Sequence, residues 1–137
     1  MLPPEASLNC VLCDGNMELI NHLFIHCVFA QGVWEGLFSW LGFSFLSPPN
    51  LFIPWECWND STTNKRIRNG YRLIWHAAVW SIWWARNDRI FNNSLSNVEE
   101  LVEAIKVLSW RWTLTRVKVP ACLFYEWCWN PRDCLLR

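Results

Sequence analysis

The feature that most constrains this chain is a set of three cysteines and one histidine within residues 10–27. These side chains follow the spacing C-x2-C-x8-H-x4-C, which selects Cys10, Cys13, His22 and Cys27. A Cys-x2-Cys pair on a tight turn, followed by two ligands within about one helical turn of each other, can surround a single ion. Zinc suits three sulfurs and one nitrogen in a tetrahedron. The pattern therefore predicts one bound Zn²⁺.

Two alternatives to this ligand set remain open. His26 stands one residue before Cys27 and could replace His22, although adjacent residues rarely both face one metal. The four side chains could also be unrelated core residues, because cysteine is often buried as a small hydrophobe. A C-x2-C pair with a correctly spaced second pair is a specific signal, and it favours the zinc site.

The predicted zinc site is structural rather than catalytic. Three thiolates and a histidine fill all four coordination positions, so no position is left for a reactive water. The sequence also has no Gly-rich phosphate loop, no Gly-x-Ser-x-Gly elbow and no His-Glu-x-x-His motif. No carboxylate cluster suited to the two magnesium ions of a polymerase or RNase H is apparent. We therefore expect no catalysis by this chain and a metal that contributes to folding.

Three motifs resemble a known family. Residues 10–34 contain C-x-L-C, then Glu-x3-His-Leu-Phe-x2-Cys, then Val-Trp; residues 82–91 read IWWARNDRIF. Residues 124–135 add Phe-Tyr-Glu-Trp, Asn-Pro and Cys-Leu, which is a weaker match. Together these motifs resemble the zinc-binding region of plant non-LTR (LINE-type) retrotransposon reverse transcriptases. The resemblance implies accessory binding of RNA or DNA, with polymerase chemistry in a separate upstream domain of a parent polyprotein that could itself be a partner.

The charge distribution indicates where a nucleic acid would bind. Residues 1–60 contain no lysine or arginine and sum to −6, whereas residues 61–92 sum to +5. Contacts to phosphates normally dominate affinity for nucleic acids, so the acidic zinc hairpin is a poor candidate. The best candidate surface is a basic cluster that comprises Lys65, Arg66, Arg68 and Arg72. The exposed, solvated start of a helix would explain this cluster equally well.

A second functional hypothesis belongs to a different class. The chain has 12 tryptophans, and a zinc-stabilised helical domain with large exposed apolar patches would bind another protein. A non-functional remnant of a retroelement is a further alternative. Salt-dependent RNA binding would favour the nucleic-acid hypothesis, whereas exposed apolar patches without such binding would favour the protein-interaction hypothesis.

The predicted fold is mainly α, with a small zinc-stabilised hairpin followed by a helical region containing two long helices. We divide the chain into a hairpin, amphipathic helix and loop at 1–60 and a Trp-rich helical region at 61–137, together one continuous domain. Apolar spacing predicts helices at 28–45, 65–92 and 96–117, the last opened by a capping box at Ser96. The expected core-facing stripes are Val33, Trp34, Leu37, Phe38 and Leu41; Trp75, Val79, Ile82 and Arg86; and Leu101, Ile105, Leu108 and Trp112.

Two further expectations concern the long helix at 65–92. Its apolar run between Arg72 and Arg86 is shorter than the roughly 20 residues that a membrane span requires, so no membrane partner is expected. The run is instead interpreted as a central helix buried around much of its circumference. Trp83 should then be substantially buried, and His76 should be a hydrogen-bonded core or boundary residue.

The cysteine count bears on the cellular compartment. Seven is an odd number, and the sequence does not open with a charged and then apolar leader. Both observations favour a reducing compartment, the nucleus or cytoplasm, in which thiols bind metal rather than form disulfides. The spacing of Cys122, Cys128 and Cys134 fits no zinc template, so these residues are expected to serve in packing.

Overall fold

The computed structural model describes residues 12, 27–42, 64–92, 97–116 and 122–137, and this part of the chain is helical. The predicted mainly α fold with two long helices is confirmed there, whereas residues 10, 11 and 13–26 of the predicted zinc hairpin lie outside the described residues. No described helix is long and apolar enough to cross a membrane. The helices are α1 (Val28–Leu41), α2 (Lys65–Asn92), α3 (Val98–Arg116), α4 (Phe124–Trp129) and α5 (Pro131–Leu135).

Side-chain caps set the start of both long helices. The Asn64 side-chain oxygen accepts hydrogen bonds from the backbone N–H groups of Arg66 and Ile67, at 2.9 and 3.1 Å. Asn97 does the same at the start of α3, where it accepts from the N–H groups of Glu99 and Glu100. The cap of α3 is therefore Asn97, and the prediction that Ser96 caps this helix was wrong by one residue.

The first helix ends earlier than its apolar pattern predicts. Gly42 has a φ of 80°, and its N–H group donates to the carbonyl oxygens of Phe38 and Ser39. This left-handed conformation closes the helix and is readily adopted only by glycine. Because of it, α1 stops at Leu41 rather than at the predicted Phe45.

The core lies where α3 packs against both α1 and α2. Two glycines on α1 allow a close approach: a Cβ added at Gly36 would lie 3.0 Å from Val102, and one at Gly32 would lie 3.2 Å from Val98. Four of the five predicted core residues of α1 are buried, and Leu41 is half-buried. On α3 the buried side chains are Leu101, Val102, Ile105, Ser109 and Thr113.

The buried face of α2 differs from the predicted one. Trp83 is 40% exposed, Trp84 55% and Trp80 56%, and His76 is also exposed, so these residues lie outside the core. Of the predicted stripe only Ile82 is buried, whereas the three others are half-buried. Small side chains allow helices to pack closely, and an indole at their positions would hold the helices apart. The face that α2 buries is accordingly made of Ile67, Gly70, Tyr71, Ile74, Ala77, Ala78, Ser81, Ile82 and Ala85.

The first of the two short C-terminal helices, α4, joins the core through tryptophan. Trp127 on α4 is fully buried, and its indole N–H donates to the Ser109 hydroxyl at 3.2 Å. Trp40 on α1 packs edge-on against Trp127, with ring centroids 5.8 Å apart, and donates its own N–H to the Cys128 carbonyl at 3.0 Å. The indole N–H groups of Trp40 and Trp127 therefore each have the polar partner that a buried indole needs.

A disulfide closes the C-terminal segment. Cys122, just before α4, is bonded to Cys134 on α5, with the two Cα atoms 6.0 Å apart. These cysteines were expected to serve in packing, as thiols rather than in a disulfide, and that prediction was wrong for this pair. The bond forms because α4 and α5 fold back on each other, which brings together two residues 12 positions apart.

Gly70 provides a test of how α5 is seated on α2. A Cβ added at this position would lie 2.4 and 2.5 Å from the two terminal carbons of Leu135, a side chain that is itself fully buried. Gly70→Ala should therefore lower the free energy of unfolding in urea denaturation. Overpacking typically costs about 1–3 kcal/mol, against a gain of about 1 kcal/mol in helix propensity.

The matched control for this prediction is a double-mutant cycle with Leu135→Ala. Removing the colliding methyl groups should relieve the overpacking, so the alanine at position 70 should cost less, or stabilise, in the Leu135→Ala background. If Gly70→Ala instead raised stability in the wild-type background, the described seating of α5 on α2 would be incorrect.

Candidate nucleic-acid interface

The predicted zinc ligands fall mostly outside the described residues. Cys10, Cys13 and His22 lie there, as does the alternative ligand His26. Cys27 is described: it is fully buried and occupies the N-cap position of α1, where its carbonyl oxygen accepts a hydrogen bond from the Gln31 N–H at 2.8 Å. Within the described ranges no three His, Cys, Asp or Glu side chains lie close enough together to hold a metal ion. The zinc site stays a prediction.

The predicted basic cluster occupies the first two turns of α2. Lys65 and Arg72 are exposed and Arg68 is half-buried. Their spacing of three and four residues places these three side chains on one side of the helix. Arg66 is different, because its guanidinium donates a hydrogen bond to the main-chain carbonyl of Arg137. The structure thus brings together three of the four predicted bases and directs the fourth towards the C-terminal residue.

Lys65 and Arg68 stand at an unfavourable end of their helix. The N-terminus of a helix carries a partial positive charge, so a cation in the first turn is disfavoured by about 0.3–1 kcal/mol. The first turn of α2 has no acidic side chain to offset this. The arrangement leaves a positive potential at the start of α2, and this potential would attract an anion such as a phosphate.

A groove between α2 and α3 was not predicted from the sequence. It has a volume of about 510 Å³, within the range of about 300–1,000 Å³ that ligand sites span. Three indoles contribute to it, from Trp80 and Trp83 on α2 and from Trp112 on α3. The remaining lining residues are His76, Val79 and Arg116. We call this surface the aromatic groove.

Positive charge accompanies the indoles of the aromatic groove. The Arg86 guanidinium carbon lies 4.6 Å from the centre of the Trp83 ring, and that of Arg116 lies 5.0 Å from the Trp112 ring. Both distances are within the roughly 6 Å over which a cation is attracted to an aromatic face. Partial desolvation of the imidazole, and to a smaller extent the charge of Arg116, lowers the pKa of His76, although the side chain lies outside the core. The imidazole is therefore neutral at neutral pH, and the arginines supply the charge of the groove.

Part of the groove could have been found in the sequence. The residues Lys65, Arg68, Arg72, His76, Val79, Trp83 and Arg86 follow one another at intervals of three or four, and none of them is buried. This spacing defines one stripe along α2 that joins the basic cluster to the aromatic groove. The contribution of Trp112 and Arg116 depends on how α3 packs and has no signal in the sequence.

Comparisons of the chain with models of known protein families, with curated proteins and with solved structures found no match. The resemblance to LINE-type reverse transcriptases therefore rests on the sequence motifs alone.

Proposed function

We propose that this chain is a structural zinc-binding module that assists the binding of RNA or DNA and has no catalysis of its own. One Zn²⁺ held by Cys10, Cys13, His22 and Cys27 would close the N-terminal hairpin. The parent protein in this proposal is a LINE-type reverse transcriptase, whose polymerase domain would be a partner within the same polyprotein. Its place of action would be the nucleus or cytoplasm.

The observation that carries the nucleic-acid proposal is the placement of three bases on one side of α2. Lys65, Arg68 and Arg72 are all accessible, and the only acidic residue of α2, Asp88, lies more than four turns further along the helix. A phosphate backbone that contacts these bases would release condensed counterions, which supplies most of the affinity in non-specific binding. No element that reads base edges is evident in the described helices, so the binding would be largely indifferent to sequence.

The proposed function is tested by the salt dependence of binding to single-stranded RNA. About three phosphate contacts imply a slope of log affinity against log salt of about −2. Replacing Lys65, Arg68 and Arg72 together by alanine should flatten this slope and remove measurable binding, while the zinc content stays unchanged. Fluorescence anisotropy with labelled oligonucleotides over a salt series measures the affinity and its salt slope.

Arg66→Ala is the matched control, because its guanidinium contacts the Arg137 carbonyl rather than lying on the stripe. It removes one positive charge from the same helical turn and should leave the salt slope close to that of the wild type. RNA affinity that persisted in the triple variant would contradict the proposed function.

A second candidate function is a zinc-stabilised protein-interaction domain. The observation that favours it is the number of large apolar side chains on the surface, among them Trp80, Trp84 and Phe91 on α2. Exposed apolar patches on soluble proteins often mark binding sites for other proteins. If the wild type bound no RNA at low salt, this candidate would replace the first.

A further inference from the structure

We propose that the ligand of this module is single-stranded nucleic acid, bound along one stripe of α2 with its bases stacked in the aromatic groove. This inference rests on the proposed function and names its ligand class. It adds a second surface, formed by α2 and α3, to the basic cluster at the start of α2.

The first observation is the continuity of the stripe. From Lys65 to Arg86 it spans 21 residue steps, which is about 30 Å of helix at 1.5 Å per residue. Cations occupy the two ends, with Lys65, Arg68 and Arg72 at one and Arg86 at the other, and Trp83 lies near the second. A ligand matching this order has negative charge at both ends of the stripe and flat rings near the second end. Nucleic acid meets both conditions.

The second observation is the solvent exposure of the indoles. Trp80 and Trp83 are 56% and 40% exposed, although an indole can bury a large apolar area. Together with Trp112 they line the aromatic groove, to which Arg116 contributes a positive charge. Such a combination of aromatic rings and arginine is typical of platforms on which successive bases stack.

Charge complementarity favours nucleic acid over an apolar peptide. Among the described residues, those that line the aromatic groove include no acidic side chain, and Arg86 lies against one of its indoles. A purely apolar partner would have to desolvate these guanidinium groups without offering them an anion, which is unfavourable. The phosphates next to a stacked base would instead lie beside these guanidinium groups and offer them an anion.

The groove also favours single strands over duplexes. Bases within a duplex are stacked on each other and show only their edges, so an indole can reach their faces only after unstacking, at a cost of a few kcal/mol. Single strands present their faces directly. The phosphate contacts at Lys65, Arg68 and Arg72 are available to both forms, so the difference between the two affinities reports on the tryptophans.

The test compares a short fluorescein-labelled oligouridylate with its duplex, using the full chain loaded with zinc. We expect the single strand to bind more tightly than the duplex and to quench tryptophan fluorescence. Trp80→Ala and Trp83→Ala should each weaken single-strand binding by about tenfold, since stacking on an aromatic ring contributes on this order per base. The salt slope should not change, because no charge is removed.

Trp129→Ala is the matched control, because Trp129 is 88% exposed and lies on α4, away from the groove. Its affinity for the single strand should equal that of the wild type. Trp83→Phe should retain part of the affinity, because a smaller aromatic face remains available for stacking.

The outcomes separate this inference from the proposed function. If the triple variant of Lys65, Arg68 and Arg72 lost binding while Trp80→Ala and Trp83→Ala kept it, the inference would fail and the proposed function would stand. Equal affinity for single strand and duplex would also overturn the inference. If neither form bound at low salt, both would fail. If the wild type self-associated in sedimentation and the Trp80→Ala variant did not, the groove would be a protein interface and not a nucleic-acid site.

Discussion

Purified protein is expected to contain one zinc ion per chain and to lose most of its helical circular dichroism when a chelator removes it. The physical reason is that a Cys3His site is not formed in the unfolded chain, so the free energy of metal binding stabilises the fold directly. For structural zinc sites this amounts to about 10–16 kcal/mol at neutral pH, comparable to or larger than the net stability of a typical domain. The measurements are metal analysis of the purified chain and a chelator titration followed by circular dichroism.

Variants of single ligands locate the metal. Cys10→Ser and Cys27→Ser should each abolish tight zinc binding, whereas Cys128→Ser, which removes a half-buried cysteine of α4, should keep full occupancy. Cys27 is itself fully buried at the start of α1, so its replacement also disturbs packing, and Cys10→Ser is the more decisive variant. Full zinc occupancy in Cys10→Ser would refute the assignment. Loss of metal in His26→Ala but not in His22→Ala would show that the histidine ligand is His26 and not His22.

The long helices were predictable because their signals are local. The bounds of α2, Lys65–Asn92, coincide with the predicted ones, and those of α3 differ by two residues at the start and one at the end. Asn64 and Asn97 directly precede the first residues of the two helices and have side chains that accept hydrogen bonds from backbone N–H groups. Such information is contained in a few neighbouring residues and needs no knowledge of how the helices pack.

The orientation of α2 was not predictable from its apolar pattern. Between Arg72 and Arg86 nearly every residue is apolar, so periodicity does not distinguish the buried face from the exposed one. A ranking by size favours burying tryptophan, yet Ala77, Ala78 and Ala85 are among the residues that face the core, and Trp83 is exposed. The expected cost of Trp83→Ala is accordingly smaller than the roughly 3–5 kcal/mol that burial would imply.

The candidate site was predictable to the extent that it lies on one helix. Lys65, Arg68 and Arg72 were identified from the charge distribution alone, and the structure places them on one side of α2. Arg66 was included because sequence proximity does not show which way a side chain points. The aromatic groove was missed because two of its walls, Trp112 and Arg116, come from α3. The Cys122–Cys134 bond was missed for a similar reason, since it depends on how α4 and α5 fold together.

Trp127→Ala should lower the free energy of unfolding by about 3–5 kcal/mol, the range expected when a fully buried tryptophan is truncated. The indole is fully buried between α3 and α1, with its N–H bonded to Ser109 and its ring against Trp40. Urea denaturation of the zinc-loaded protein, followed by circular dichroism, measures the change.

The cavity, rather than the lost hydrogen bond, should dominate this cost. The Ser109 hydroxyl also donates to the Lys106 carbonyl at 3.1 Å, so it keeps one partner when the indole is removed. A neutral hydrogen bond contributes about 1 kcal/mol net, a fraction of the expected total. Trp127→Phe, which removes the N–H but fills much of the space, should therefore cost clearly less than Trp127→Ala.

Trp129→Ala is the control on the same helix, because Trp129 is 88% exposed and only two residues away from Trp127. Substitutions at exposed positions usually change stability by no more than about 0.5 kcal/mol. A cost of Trp127→Ala as small as that of Trp129→Ala would mean that α4 opens separately from the helices beneath it. In that case the Trp40 and Ser109 contacts would not belong to the cooperative core, and residues 122–137 would unfold at lower denaturant concentrations than α1, α2 and α3.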